Sequence, residues 1–141
     1  MNMEINSRKL SDLTPEMAEL AQQFIDKCKA AGIDVIITST YRNNASQAAL
    51  YAQGRTTPGK RVTNAPAGSS MHNYRTAFDF VPLVAGKAVW NDIALFKKCG
   101  AIAKSLNLEW GGDWTSFKDY PHVQRAGLVL AELKKQYPDG R

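Results

Sequence analysis

The sequence predicts one α+β domain, and three observations carry that prediction. Apolar residues recur at helical spacing in several separated stretches. Short runs of β-branched and aromatic residues lie between them. No repeat, linker or compositional break divides the 141 residues, so residues 1–141 read as a single unit with length enough for a real core.

Thr14, Pro15 and Glu16 make a helix start: a capping hydroxyl, proline at the first position and an acid in the first turn. Met17, Leu20, Ala21, Phe24, Ile25 and Cys28 follow at helical spacing, and Gly32 closes the helix. "IDVIITST" is short and β-branched, a core strand. A short helix is predicted from about Ser46 to Gln53, ended by Gly54. "TTPGKRVTNAPAGSS" is polar and rich in Pro and Gly, so it is a loop. "TAFDFVPL" is the next strand, and Gly86 with Lys87 marks a turn. Asn91 or Asp92 caps a third helix with the stripe Leu95, Phe96, Cys99, Ile102, Ala103 and Leu106. "LEWGGDW" is a strand running into a glycine turn. Pro121 pushes Tyr120 toward extended geometry, so "FKDYPHV" is not regular helix. The last helix is expected over about Ala126 to Tyr137, packed through Ala126, Leu130, Leu133 and Tyr137.

Hydrophobic residues make up 44% of the chain, which excludes a disordered composition. Eighteen Lys and Arg against thirteen Asp and Glu give +5. That charge favours anionic partners, whether nucleic acid, an anionic membrane surface or an acidic wall polymer, without choosing among them. Cys28 and Cys99 fall on helical stripes and read as buried free thiols. No CxxC pair exists, which excludes a thiolate zinc site within one chain. No apolar run approaches the ~20 residues that span a bilayer. The opening "MNMEINSRKLSDL" lacks the apolar core of a signal peptide. The chain is therefore expected to be made in the cytoplasm, without stable membrane insertion, and to need another route if it works outside.

Two histidines bear the chemistry. His72 lies in "SSMHNYRTAFDF", and a lone loop histidine is ordinarily surface. Asp79 follows seven residues later, on the strand face of Ala77; Thr76, Phe78 and Phe80 take the other face. It is either an edge carboxylate in solvent or one held over a cleft. Asp119 stands three residues before His122 on a non-helical stretch. Two imidazoles and one carboxylate form a sound zinc set with a fourth position open to water. A site charge near +1 would keep the ion strongly Lewis-acidic, and Asp119 would then be the free carboxylate that takes the proton. HxxxxxxD and DxxH recur by chance, and neither is HExxH. The residues by themselves leave a catalytic zinc, a structural metal and no metal open.

Taken together, "SSMHNYRTAFDF" and "WGGDWTSFKDYPHVQ" resemble the zinc D,D-carboxypeptidase and endolysin family of the VanY type, nearest to phage L-alanyl-D-glutamate endopeptidases. The family pattern S-x-H-x-x-G-x-A-x-D is met by Ser70, His72, Ala77 and Asp79, and the distant D/E-x-x-H by Asp119 and His122. "TSTYRNNASQAALYAQGRTTPG" is similar to the family stretch with a substrate arginine and a helix glutamine, here Arg42 and Gln47. The likeness runs from about Ile36 to Gln124.

The resemblance implies a Hedgehog/D,D-peptidase-like domain, with helices packed on a short antiparallel sheet that bears the cleft. It implies one Zn2+ per chain on His72, Asp79 and His122. Asp119 would be general base and then general acid. Arg42 would hold a substrate carboxylate or the carbonyl oxygen. Substrates would be peptidoglycan stem peptides, cut between L-alanine and D-glutamate. A phage member would act on the wall as a monomer after release through a holin, and no nucleic-acid partner is expected.

Other residues keep two readings each. Gln47 lies either beside the substrate or on the polar face of its helix. Trp110 and Trp114 bracket "GGD" and are either packing or a cleft wall. Ser70 and Tyr74 are candidates for substrate binding, Tyr74 from the pocket rim. Asp113 fixes its turn or accepts a supporting bond. Arg55, Lys60 and Arg61 are either a solvated face or a basic patch for wall or phosphate.

The departure from the family pattern is Arg75, where the family has glycine. Seven extended residues would span more than ~20 Å at ~3.3 Å each, so the chain must turn between His72 and Asp79. A non-glycine residue at positive φ costs about 1 kcal/mol or more. Arg75 is thus expected to strain the turn, with a side chain able to reach the cleft. It is a tolerated variant with altered specificity, a residue that weakens activity while the metal site survives, or a deliberate substitution that dampens a lytic enzyme. The mismatch with glycine motivates the expectation of weakened activity. Three other functions compete: a D-alanyl-D-alanine carboxypeptidase or dipeptidase, a non-catalytic wall-binding module, and a basic nucleic-acid binder for which no motif is present.

Overall fold

The chain's computed structural model describes residues 3–141. Helix α1 spans Pro15–Ala30 and strand β1 Asp34–Ser39; helix α2 is Asn44–Ala52. Strand β2, Ala77–Val84, turns into the two-residue β3, Lys87–Ala88. Helix α3, Ile93–Ser105, precedes β4, Leu108–Trp110; β5 is His122–Arg125 and α4 is Leu130–Gln136. The sheet runs β1-β2-β5-β4 with β3 paired to the end of β2, and every pairing is antiparallel. Helices on an open antiparallel sheet are the α+β architecture the sequence predicts.

Strand alternation divides the molecule at β2. Phe78 and Phe80 point into the main core, where Phe24 of α1 meets both rings, with centroids 5.4 and 4.9 Å away. Phe96 of α3 packs on Phe80 at 5.4 Å. Each fully buried ring contributes about 1.5–3 kcal/mol, so this face fixes the register. A one-residue slip would drive Phe78 and Phe80 out and Asp79 in. Ala77 and Asp79 consequently take the opposite face. Ala77 joins a smaller cluster with Met71, Tyr74 and Leu133 of α4. Asp79 opens onto a cavity.

Thr14 caps α1 as predicted, its hydroxyl accepting from the Met17 N–H at 3.2 Å. Asp92 caps α3. Cys28 and Cys99 are free and buried in the main core, as expected.

Three elements differ from the sequence expectation. Helix α2 starts at Asn44 because the Asn43 carboxamide, not a residue near Ser46, accepts from the Ser46 N–H. Helix α4 starts at Leu130, four residues later than expected, because Gly127 adopts φ 81° and breaks the run from Ala126. His122–Arg125 form a strand; four residues are too few to show alternation, and pairing with β2 and β4 supplies the stability.

Arg75 stands in the left-handed region at φ 64°, ψ 28°, closing a 3₁₀ turn over Met71–Tyr74. The positive φ expected at this family glycine is therefore present. Its side chain turns away from the cleft. Nη1 donates to the Asp12 carbonyl at 2.7 Å, Nε to the Arg141 carbonyl at 3.2 Å, and the guanidinium stacks 3.7 Å over Tyr41. The expected entry of Arg75 into the cleft does not occur. The residue ties Asp12, just ahead of α1, and the terminal Arg141 to the turn.

Candidate metal centre and its cleft

His72 is placed by its own turn. Ser70 caps it, accepting from the His72 N–H, and Asn73 completes a capping box. His72 is almost wholly buried, at 2% exposure. Its Nδ1 lies 2.8 Å from the Thr40 carbonyl. A carbonyl only accepts, so Nδ1 carries the hydrogen and the Nε2 lone pair is free. Nε2 points at Asp79 Oδ1, 3.2 Å away. The β1–β2 register shifts between Ile37 and Ser39, next to the Thr40 carbonyl, and such bulges re-aim the chain at strand ends.

His122 faces Asp79 directly in the β2–β5 register. It presents Nδ1 to the same carboxylate oxygen at 3.4 Å. One ligand atom from each of His72, Asp79 and His122 lies within 4.8 Å of the others. The set fits zinc. Bonds of about 2.0–2.1 Å in a tetrahedron separate neighbouring donors by about 3.3 Å, close to the two histidine–aspartate distances. Two nitrogens and one oxygen match zinc's preferred ligands, and the cavity side leaves a position open.

The electrostatics favour a cation. Burial alone would raise the Asp79 carboxyl. The neighbouring His72 and His122 outweigh it and hold Asp79 well below the usual carboxylate range. Burial would lower His122, but its hydrogen bond to Asp79 and the charges of Asp79 and Asp119 leave it raised. The pocket thus draws positive charge to the place between these three groups.

Asp119 and Arg42 flank them across a cavity of about 1100 Å³. Burial first, then the charge of Asp79, raises the Asp119 carboxyl above its ordinary range. Asp119 is set by tight backbone packing: its N–H donates to the Gly111 carbonyl at 3.0 Å, and its carbonyl accepts from the His122 N–H at 3.2 Å. A Cβ on Gly111 would run into the Asp119 carbonyl, so that position requires glycine. Arg42 Nη2 lies 3.6 Å from Asp79 Oδ2, and Nη1 donates to Gln47 Oε1 at 2.9 Å. Its Nε is buried without a partner among the described residues.

The remaining candidates separate cleanly. Trp114 lines the cavity and packs on His122 with ring centroids 5.1 Å apart. Ser70 lines it too, with its hydroxyl committed to the cap. Gln47 is fully buried and does not reach the cavity; its amide donates to the Ala65 carbonyl at 2.7 Å while its oxygen holds Arg42. Tyr74 is 1% exposed in the smaller cluster, with its hydroxyl donating to the Gly68 carbonyl. It is not on the rim. Trp110 belongs to the main core, packed against Gly100 and Gly112, where any Cβ would overlap its ring. The cleft-wall reading of Trp110 is thereby corrected to packing.

Asp113 pairs with Lys104 at 2.9 Å on the surface. Arg55 donates to the Tyr51 and Thr63 carbonyls and stacks over Tyr51, so it braces its loop; Lys60 and Arg61 are exposed. Two contributors escaped sequence reasoning. Thr40 acts through its carbonyl, which leaves no side-chain signature. Asn6 lines the cavity and accepts from the Ser39 hydroxyl at 2.6 Å, from 33 residues away in sequence.

A family model described as D-alanyl-D-alanine carboxypeptidase matches residues 63–125, the segment containing His72, Asp79, Asp119 and His122. The peptidoglycan L-alanyl-D-glutamate endopeptidase CwlK of Bacillus subtilis is 42% identical, across 81% of this chain and 74% of that protein. The L-alanyl-D-glutamate peptidase of Listeria phage A118 is 37% identical over 84% of this chain, which spans 39% of that protein. Among solved structures, the L-Ala D-Glu endopeptidase ChiX of Serratia marcescens superposes with a TM-score of 0.61, covering 92% of this chain and 86% of that one at 20% identity. A variant of the vancomycin-resistance D,D-pentapeptidase VanY, in complex with Zn(II), gives 0.60 over 88% of this chain and 79% of that one at 14% identity. These two likenesses are of fold.

Proposed function

The chain belongs to the zinc D,D-carboxypeptidase and endopeptidase family, and from that premise we propose that it hydrolyses the L-alanyl–D-glutamate bond of peptidoglycan stem peptides. The observation that carries this reading is the convergence of His72, Asp79 and His122 within 4.8 Å at the floor of a cavity that also contains Arg42 and Asp119. The two sequence relatives whose names specify L-alanyl-D-glutamate cleavage favour that bond over the D-alanyl–D-alanine bond of the family description.

Bound at these three residues, Zn2+ supplies Lewis acidity that polarises a peptide carbonyl and lowers the pKa of a water toward ~7. The chain's own groups do the rest. Asp119 is kept off the ligand set and is half-buried at the cavity wall. It accepts the proton of the attacking water and returns it to the leaving amine. Its raised affinity for protons suits the second role. Arg42, braced by Gln47, offers planar donors to a substrate carboxylate or to the oxygen on which charge develops. Trp114 packs at a tilt against the His122 ring and helps to hold it in place.

The same reading has the enzyme acting as a monomer on the wall. It is made in the cytoplasm and released by a separate protein, a holin where a phage encodes it. The kinship to a phage peptidase supports that route.

Digestion of purified walls with and without a chelator, followed by mass spectrometry of the products, tests the proposal. New peptides beginning with D-glutamate, lost on chelation and restored by Zn2+, are expected. Release of free D-alanine instead would assign the carboxypeptidase activity. Wall binding with no peptide released at saturating zinc would reduce the chain to a binding module.

A further inference from the structure

One side of the metal centre is governed by two residues outside the ligand set: Gln124, which lines the cavity beside His122, and Glu109, which does not line it. His122 Nε2 lies 2.7 Å from Gln124 Oε1, and Gln124 Nε2 donates to Glu109 Oε2 at 2.7 Å. Gln124 is two residues along β5 from His122, so both side chains leave the same strand face. Glu109 is the cross-strand partner of Gln124 on β4. The chain of bonds therefore follows the sheet register.

The direction of these bonds is dictated from the far end. A carboxylate only accepts, so Glu109 requires the amide nitrogen of Gln124. The amide oxygen is left facing His122, and it too only accepts. His122 must then carry its hydrogen on Nε2, which leaves the lone pair on Nδ1, the atom facing Asp79. His72 reaches the mirror-image state by a different device, a main-chain carbonyl on Nδ1 that frees Nε2. A main-chain carbonyl cannot turn over. A carboxamide can, and a flipped Gln124 would offer its NH2 to His122 and favour the wrong tautomer. Glu109 prevents the flip.

We infer that Gln124 and Glu109 are positioning residues for the zinc ligand His122: Glu109 orients the Gln124 amide, and Gln124 holds His122 in the tautomer whose Nδ1 can bind the ion. Outer partners of this kind raise ligand basicity and fix ring orientation, and their loss typically weakens metal binding ~10–100-fold. The inference rests on the zinc site of the proposed function.

The test measures zinc affinity by chelator competition for the full chain, and the His122 tautomer by nitrogen-15 NMR of the metal-free protein at alkaline pH. Gln124→Leu is expected to weaken zinc ~10–100-fold and to turn the single Nε2–H tautomer into a mixture. Glu109→Gln, a change at an exposed residue, is expected to do the same in smaller measure, because the amide is then free to flip. The exchange Gln124→Glu with Glu109→Gln keeps an acceptor on Nε2–H and a bond between the strands, so zinc binding should return to within a few-fold of the wild type. A purely structural role would not produce that rescue. Unchanged zinc affinity and tautomer in both single variants would overturn the inference while leaving the peptidase reading intact. Should Gln124→Leu not fold, Glu109→Gln and the exchange decide the matter alone. Failure of the wild type to take up zinc would overturn both readings.

Discussion

Asp79 and His122 stand directly opposite each other on neighbouring antiparallel strands, with the imidazole Nδ1 3.4 Å from the carboxylate Oδ1. They are 43 residues apart in sequence, yet two strands of the sheet fix their distance. A metal ligand built on paired strands is held by main-chain bonds as well as by its own rotamer.

Removing a ligand and removing the proton carrier should therefore give different defects. His122→Ala is expected to lose both bound zinc and wall lysis. Asp119→Ala should keep zinc and lose ~10²–10⁴-fold in kcat, the range for a positioned acid–base group. Elemental analysis of each purified variant alongside a lysis assay checks both. Normal lysis by Asp119→Ala would remove it from the mechanism.

Gln47 is expected to act through Arg42. Gln47→Leu keeps the volume but leaves the guanidinium without its brace and the Ala65 carbonyl without a donor. A loss of about 1–3 kcal/mol in stability should follow. The fall in kcat/KM should resemble that of Arg42→Ala, with zinc retained. Denaturant unfolding and steady-state kinetics on a soluble muropeptide would separate these effects. Independent, additive losses in the double variant would show that the two residues do not work as one unit.

Arg75→Gly sets two terms against each other. Glycine relieves about 1 kcal/mol of left-handed strain. The change also deletes a charged donor to the Asp12 carbonyl, worth about 1.5–3 kcal/mol, and the stack on Tyr41. Stability should fall slightly. The side chain does not line the cavity, so the lysis rate per folded molecule should stay within about two-fold of the wild type. A several-fold faster Arg75→Gly enzyme would revive the view that arginine here dampens activity.

The metal-free protein should trade stability for function at Asp119. Its carboxyl is raised in the folded state by burial and by Asp79, so the native protein binds the proton more tightly than the unfolded chain does. Stability from this group is greatest below the ordinary carboxylate range and is lost as pH rises through the raised value. Asp119→Asn removes that loss. In chelator-treated samples its Tm should exceed the wild type at neutral pH, and the difference should close in acid. A constant difference at all pH values would contradict the sign.

Sequence spacing located α1, β2 and α3 because an apolar face leaves a period that can be counted. Alternation through Phe78 and Phe80 correctly sent Asp79 to the other face. The four ligand and proton-carrying positions were visible as residue types in the family's order. The same spacing could not say that Trp110 and Tyr74 are packed inside, because an aromatic ring satisfies a core and a cleft wall equally well. Arg75 showed the limit most plainly: the positive φ followed from the need to turn, but the direction of the side chain did not.

The sequence by itself determined which faces are apolar, where α1 and α3 begin, and which side chains could ligate a metal, since each of these depends on neighbours a few residues away. The tertiary structure alone decided that Asp79 and His122 share a register, that the Thr40 carbonyl and Gln124 select opposite nitrogens on the two imidazoles, and that Gln47 braces Arg42. Those are pairings between groups distant in the chain, and they exist only once burial of the phenylalanine face has fixed how the strands align.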